Sequence, residues 1–136
     1  MERMKPLQPG DTFTHVRECD RYRPIYYAGA SGDYNPIHID REVGELAGMG
    51  GAILQGLCTL GWAVEAAARY AGDPGRVKKV KVRFSRPVRI EDTVTFQGKV
   101  AKVEGGRAVA ELSAKNQDGE DVLKGAVVEL EVELES

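Results

Sequence analysis

Leu54-Gln55-Gly56-Leu57-Cys58-Thr59-Leu60-Gly61-Trp62-Ala63-Val64-Glu65-Ala66-Ala67-Ala68-Arg69-Tyr70-Ala71 is the most hydrophobic helical stretch of this chain. Its apolar residues do not form one stripe. Leu54, Leu57, Cys58, Gly61, Trp62, Val64, Ala67 and Ala68 cover several sides of a helical wheel, and a helix apolar almost all round is a buried one. Gly56, Gly61, Ala63 and Ala66 keep its surface low, so other backbone can come close. With only 136 residues, one domain spanning 1–136 is expected, and no second layer of helices is available to bury this one. A curved sheet wrapped around it is the remaining solution. The spacing predicts a helix from about Ile53 to Ala71, stopped by Asp73-Pro74-Gly75.

The strands for that sheet lie mostly downstream. Val80, Val82 and Phe84 alternate with Lys79, Lys81 and Arg83, and Thr93 to Val103 alternates through Val94, Phe96 and Val100. Glu104-Gly105-Gly106 reads as a hairpin turn and Asn116-Gln117-Asp118-Gly119 as another. Ala108 to Ala114 and Val122 to Leu134 supply two more strands, the last with Glu129, Glu131 and Glu133 facing out. Upstream, a polar lead-in over 1–10 ends at Pro9-Gly10, and Asp11 to Glu18 alternates as a short edge strand. Asp20 reads as the N-cap of a helix that carries Pro24 in its first turn and ends at Gly32. Its Tyr26 and Tyr27 read as core or interface aromatics. One early strand, a helical middle and several late antiparallel strands make an α+β fold.

Ala30-Ser31-Gly32-Asp33-Tyr34-Asn35-Pro36-Ile37-His38-Ile39-Asp40 joins the first helix to the second. Gly32 permits an unusual backbone angle, and Pro36 stops a helix from running through. Asn35 is held extended by the proline after it. Asp33 and His38 therefore flank a stiff kink instead of sharing a helix face. A carboxylate and an imidazole turned into one cleft can share a water as an acid/base pair near neutral pH. The same residue types also make an ordinary turn, and residue identity alone leaves both readings standing. Asp40 next caps a short helix from Arg41 to Ala47, followed by the glycine-rich Gly48-Met49-Gly50-Gly51. That loop suits either close approach to a ligand or plain flexibility.

Ser31-Gly32-Asp33-Tyr34-Asn35-Pro36-Ile37-His38 resembles the signature of the MaoC-like, (R)-specific enoyl-thioester hydratases and dehydratases. Gly48 to Gly61, Gly72-Asp73-Pro74-Gly75 and Val82-Arg83-Phe84 extend the resemblance over about Asp20 to Pro87. It implies a hotdog fold, the curved antiparallel sheet around a long central helix. It also implies a hydro-lyase that adds water reversibly, with syn geometry, to trans-2-enoyl chains carried by coenzyme A or acyl carrier protein in fatty-acid metabolism. On this reading Asp33 and His38 are catalytic, Asn35 positions them, and the backbone N–H of Gly56 stabilises the thioester oxygen. Gln55 departs from the family, in which a histidine commonly precedes that glycine. Lys79, Lys81 and Arg83 belong to a run, Arg76 to Ile90, that holds no acid. They are expected either to bind the carrier's anionic portion or to form a solvated face.

The remaining features narrow the function by exclusion. Net charge −2 gives no basic surface for nucleic acid. No apolar run has transmembrane length, and Met1 to Asp11 lacks a signal-peptide core, so a cytoplasmic location away from membranes is the expectation. Cys19 and Cys58 have no metal-ligand spacing and read as buried free thiols, and no metal or cofactor is expected. His15 reads as a surface or packing residue. A homodimer or larger homo-oligomer is expected, because a sheet around one helix leaves edges open. Two other readings remain: a hotdog thioesterase using Glu65 on the central helix, and a non-catalytic thioester-binding subunit of a hetero-oligomeric dehydratase.

Overall fold

A computed structural model describes residues 4–134; Met1 to Arg3 of the polar lead-in lie outside them. One five-stranded sheet is formed by β1 (Thr12–Glu18), β2 (Val77–Phe84), β3 (Thr93–Glu104), β4 (Arg107–Lys115) and β5 (Asp121–Glu131). The spatial order is β1-β3-β4-β5-β2, with every pairing antiparallel. Between β1 and β2 the chain forms α1 (Arg23–Ser31), α2 (Pro36–Ile39), α3 (Arg41–Leu46), α4 (Gly56–Ala71) and a 3₁₀ turn at Pro74–Arg76.

The long helix α4 packs against all five strands. Five strands at about 4.8 Å spacing are wider than a helix of about 10 Å, so the sheet must curl to reach it. Register shifts in β2–β5, β3–β4 and β4–β5 assist, since a bulge adds local twist. Trp62, Ala63, Ala66 and Ala67 of α4 are buried in one cluster with Val94, Phe96, Val100, Val128 and Leu130 of the sheet. Burying a side chain the size of Phe96 stabilises the fold by about 2–3 kcal/mol. At the far end of α4, the buried Arg76 guanidinium donates to the carbonyls of Ala71 and Glu131, both at 2.9 Å. It thereby neutralises the negative end of the helix and ties it to β5.

Three element boundaries differ from the sequence expectation. The helix expected from Ile53 starts at Gly56, because Ile53 and Leu54 are used as extended backbone. Ile53 bridges Arg89, and the Leu54 N–H donates to Val88 O at 2.7 Å. Asp20 does not cap α1: its carboxylate accepts from Tyr22 N–H at 2.9 Å, in a turn just before the helix starts at Arg23. The last strand ends at Glu131, short of Leu134.

Candidate active site

The residues from Ser31 to Asp40 form a ladder of turn hydrogen bonds. Gly32 closes α1 in a left-handed conformation, φ 80°. Ser31 Oγ donates to Tyr27 O and accepts from Asp33 N–H at 3.1 Å. Asp33 Oδ1 accepts from Asn35 N–H at 3.2 Å, and Asn35 Oδ1 caps α2 by accepting from Ile37 N–H at 3.2 Å. These are local Asx-type bonds of the kind Asp and Asn favour in turns. One oxygen of Asp33 is thereby engaged while Oδ2 points at His38 Nε2, 3.6 Å away. Asn35 thus bonds back to Asp33 and forward to Ile37, the residue before His38.

The other nitrogen of His38 decides its chemistry. Nδ1 lies 2.9 Å from the carbonyl oxygen of Ile53. A carbonyl only accepts, so Nδ1 donates in that bond and Nε2 is the nitrogen left facing Asp33. His38 is buried, whereas the Asp33 side chain is 46% exposed. The pair thus places one anchored imidazole beside one solvent-accessible carboxylate.

A cavity of about 190 Å³ adjoins His38 and also touches Gly56, Thr59 and Phe84. Gly56 opens α4, and Gln55 before it makes no side-chain cap. The Gln55 amide turns inward and donates to Pro24 O at 2.9 Å. The first-turn N–H groups of α4 are therefore left without a side-chain acceptor, at the positive end of the helix. A Cβ on Gly56 would stand 3.2 Å from the Phe84 ring, so glycine lets that ring close the cavity. Thr59, Phe84 and Arg86 line the cavity and were not among the expected site residues. Phe84 reaches the cavity by pairing of β2 with β5, and Arg86 follows in the loop after β2.

The glycine loop approaches neighbouring backbone closely. Gly48, Gly50 and Gly51 adopt φ of 79°, 77° and 134°. The Gly51 carbonyl presses against Gly44 of α3, where any Cβ would overlap it. Arg89 Nε donates to Met49 O at 2.7 Å and pins the loop from the other side.

The basic run does not act as one surface. Arg76 is buried, Lys78 pairs with Glu131 at 3.1 Å, Lys79 with Glu129 at 3.8 Å and Arg86 with Glu120 at 3.0 Å. Glu129 and Glu131 face out from β5, as expected, and the sheet sets them beside these lysines. Lys81 and Arg83 make no ion pair among the described residues. By alternation Lys79, Lys81 and Arg83 share the outer face of edge strand β2, opposite the half-buried Val80 and Val82.

Glu65 is committed elsewhere. It accepts from His15 at 2.6 Å and lies 3.0 Å from Arg17 and 3.9 Å from Arg69. It does not line the cavity, so α4 brings no carboxylate there as a thioesterase base. Partial burial would raise its pKa, but the His15 hydrogen bond and the two arginines outweigh that and hold it below 4.5. A depressed carboxylate contributes stability above its unfolded pKa, and that stability is lost as pH falls through the folded value. Glu65→Gln is therefore expected to lower the thermal midpoint at neutral pH by about 2–5 °C. The gap to the parent should close in acid, and a pH-independent gap in calorimetry would contradict this account. Burial pushes the Cys19 thiol up to about 12 and raises that of Cys58; both are free, buried and inert at neutral pH.

The family model described as "MaoC like domain" matches residues 5–121. The chain belongs to the MaoC-like domain family. This MaoC-like domain is 41% identical over 135 residues to a peroxisomal multifunctional enzyme type 2 of Drosophila melanogaster, covering 92% of this chain and 21% of that protein. It is 39% identical over 99 residues to a peroxisomal enoyl-CoA hydratase 2 of Arabidopsis thaliana, covering 71% of this chain and 31% of that protein. The chain thus spans less than a third of the length of these two relatives. Its fold matches the unliganded (R)-hydratase of Pseudomonas aeruginosa with a TM-score of 0.84 at 23% identity, over 94% of this chain and 84% of that one. The hotdog architecture expected from the signature is the one observed.

Proposed function

We propose that this MaoC-like domain is a hydro-lyase that reversibly hydrates trans-2-enoyl thioesters to (R)-3-hydroxyacyl thioesters in fatty-acid metabolism. The observation that carries the reading is the Asp33–His38 pair, its imidazole held by Ile53 O so that Nε2 faces Oδ2 beside the Gly56 cavity. A water held between Oδ2 and Nε2 gives one proton to the pair as its oxygen bonds to the β carbon. The π electrons move towards the thioester oxygen, which the Gly56 N–H stabilises. The pair then returns a proton to the α carbon. Water oxygen and proton arrive from the same side, so the addition is syn. No metal or redox cofactor takes part in this scheme; coenzyme A or acyl carrier protein enters only as the carrier of the acyl chain. The names of the Arabidopsis relative and of the Pseudomonas hydratase support the substrate class and the stereochemistry.

The purified chain, given crotonyl-CoA, should bleach the enone absorbance without releasing free thiol. Thiol release would favour the thioesterase, and inertness of the chain alone would favour the non-catalytic subunit.

The carrier's anionic end is proposed to lie along β2. Neutralising Lys79, Lys81 and Arg83 together should raise KM about tenfold and leave kcat nearly unchanged, the mark of lost ground-state binding. The effect should shrink with salt. Lys79, already beside Glu129, should contribute least. Equal kinetics for variant and parent at low salt would return the strand to a solvated face.

A homodimer is also proposed. The sheet ends on β1 and β2, and Tyr26, Tyr34, Leu57 and Phe84 are exposed around the site. A second copy would cover both kinds of surface. Light scattering should report the mass of two chains; a single-chain mass with full activity would refute it.

A further inference from the structure

We propose that the acyl chain taken by this site is short, about four to six carbons, and that Thr59 is the floor of its pocket. This rests on the hydratase reading above. The cavity beside His38 holds about 190 Å³. At about 30 Å³ of liquid volume per water-sized group, that is room for about six such groups, the thioester carbonyl included. Its walls are Ile53, Leu54, Val88, Val122 and Phe84, which suit hydrocarbon.

The depth is set by α4. Only Gly56 and Thr59 of that helix line the cavity. Three residues advance about 4.5 Å along a helix axis, so a chain whose carbonyl sits at Gly56 meets Thr59 after about four carbons. Beyond Thr59 the helix turns Ala63, Ala66 and Ala67 into the core, where they are 0%, 2% and 0% exposed, in one cluster with Phe96 and Val128 at 0%. Close-packed interior of that kind leaves no tunnel for further methylenes. Thr59 is itself 3% exposed, and a β-branched side chain in a helix has little rotamer freedom to swing aside.

The test is a panel of trans-2-enoyl-CoA esters from four to twelve carbons. kcat/KM should be highest at four to six carbons and at least about tenfold lower at ten. Decenoyl-CoA handled as well as crotonyl-CoA would overturn the proposal, since the chain would then lie outside the cavity across Leu57 and Phe84. Thr59→Ala should raise the ratio of six-carbon to four-carbon activity severalfold, whereas a merely structural residue would lower both alike. An unchanged ratio removes Thr59 as the floor. If no ester is hydrated, the hydratase reading fails, and calorimetry with saturated acyl-CoA esters still reads the pocket. Hexanoyl-CoA should bind more tightly than decanoyl-CoA, and the reverse order would overturn the short-chain proposal independently of catalysis.

Discussion

Asp33→Asn should lower kcat for crotonyl-CoA by about two to four orders of magnitude, the usual scale for a general acid/base group. The amide keeps the size of the carboxylate and can still accept from Asn35 N–H, so the turn should survive. What is lost is the proton acceptor 3.6 Å from His38 Nε2. His38→Ala should cost a similar factor, because it removes the imidazole that Ile53 O holds with Nε2 facing Asp33. The double variant should be little worse than the worse single, since groups serving one transition state are not additive. Folding should be intact in Asp33→Asn by circular dichroism, as that side chain is half exposed. Parental hydration rates in a folded Asp33→Asn protein would end the assignment of the pair.

Gly44→Ala is expected to damage both stability and turnover, although Gly44 touches no substrate. Its Cβ would occupy the position of the Gly51 carbonyl, and backbone cannot rotate away as a side-chain tip can. The 48–51 loop would have to move, against the anchor from Arg89 to Met49 O. Two residues further on lies Ile53, whose carbonyl orients His38 and whose N–H donates to Ile37 O at 3.0 Å. Overpacking at such a site destabilises by about 2 kcal/mol or more. A shift of about 1 Å in catalytic geometry can cost about a hundredfold in rate. Thermal unfolding and kcat should fall together; a variant with lowered stability but unchanged kcat would show that the loop does not set the imidazole.

The buried central helix could be read from residue types because its apolar residues cover several sides, which only a wrapping sheet can satisfy. Its first turn could not. Leu54 is apolar enough for helix, and what makes it extended is pairing with Val88, thirty-four residues away. The basic run shows the same limit. Its sequence holds no acid, but β5 brings Glu129 and Glu131 beside Lys79 and Lys78, so two of its seven positive side chains are already paired there.

The kink from Ser31 to Asp40 was determined by sequence alone, because its bonds run from Ser31 to Asp33, Asp33 to Asn35 and Asn35 to Ile37, each spanning two residues. Short-range turn chemistry needs no partner from elsewhere in the chain. Tertiary structure decided which nitrogen of His38 faces Asp33, why Gly44 must be glycine, and that Thr59 lines the cavity. Each of those depends on a contact across the fold, from Ile53, Gly51 or the strands around α4. Such contacts are set by the register of a sheet that forms only when distant segments pack together on one helix.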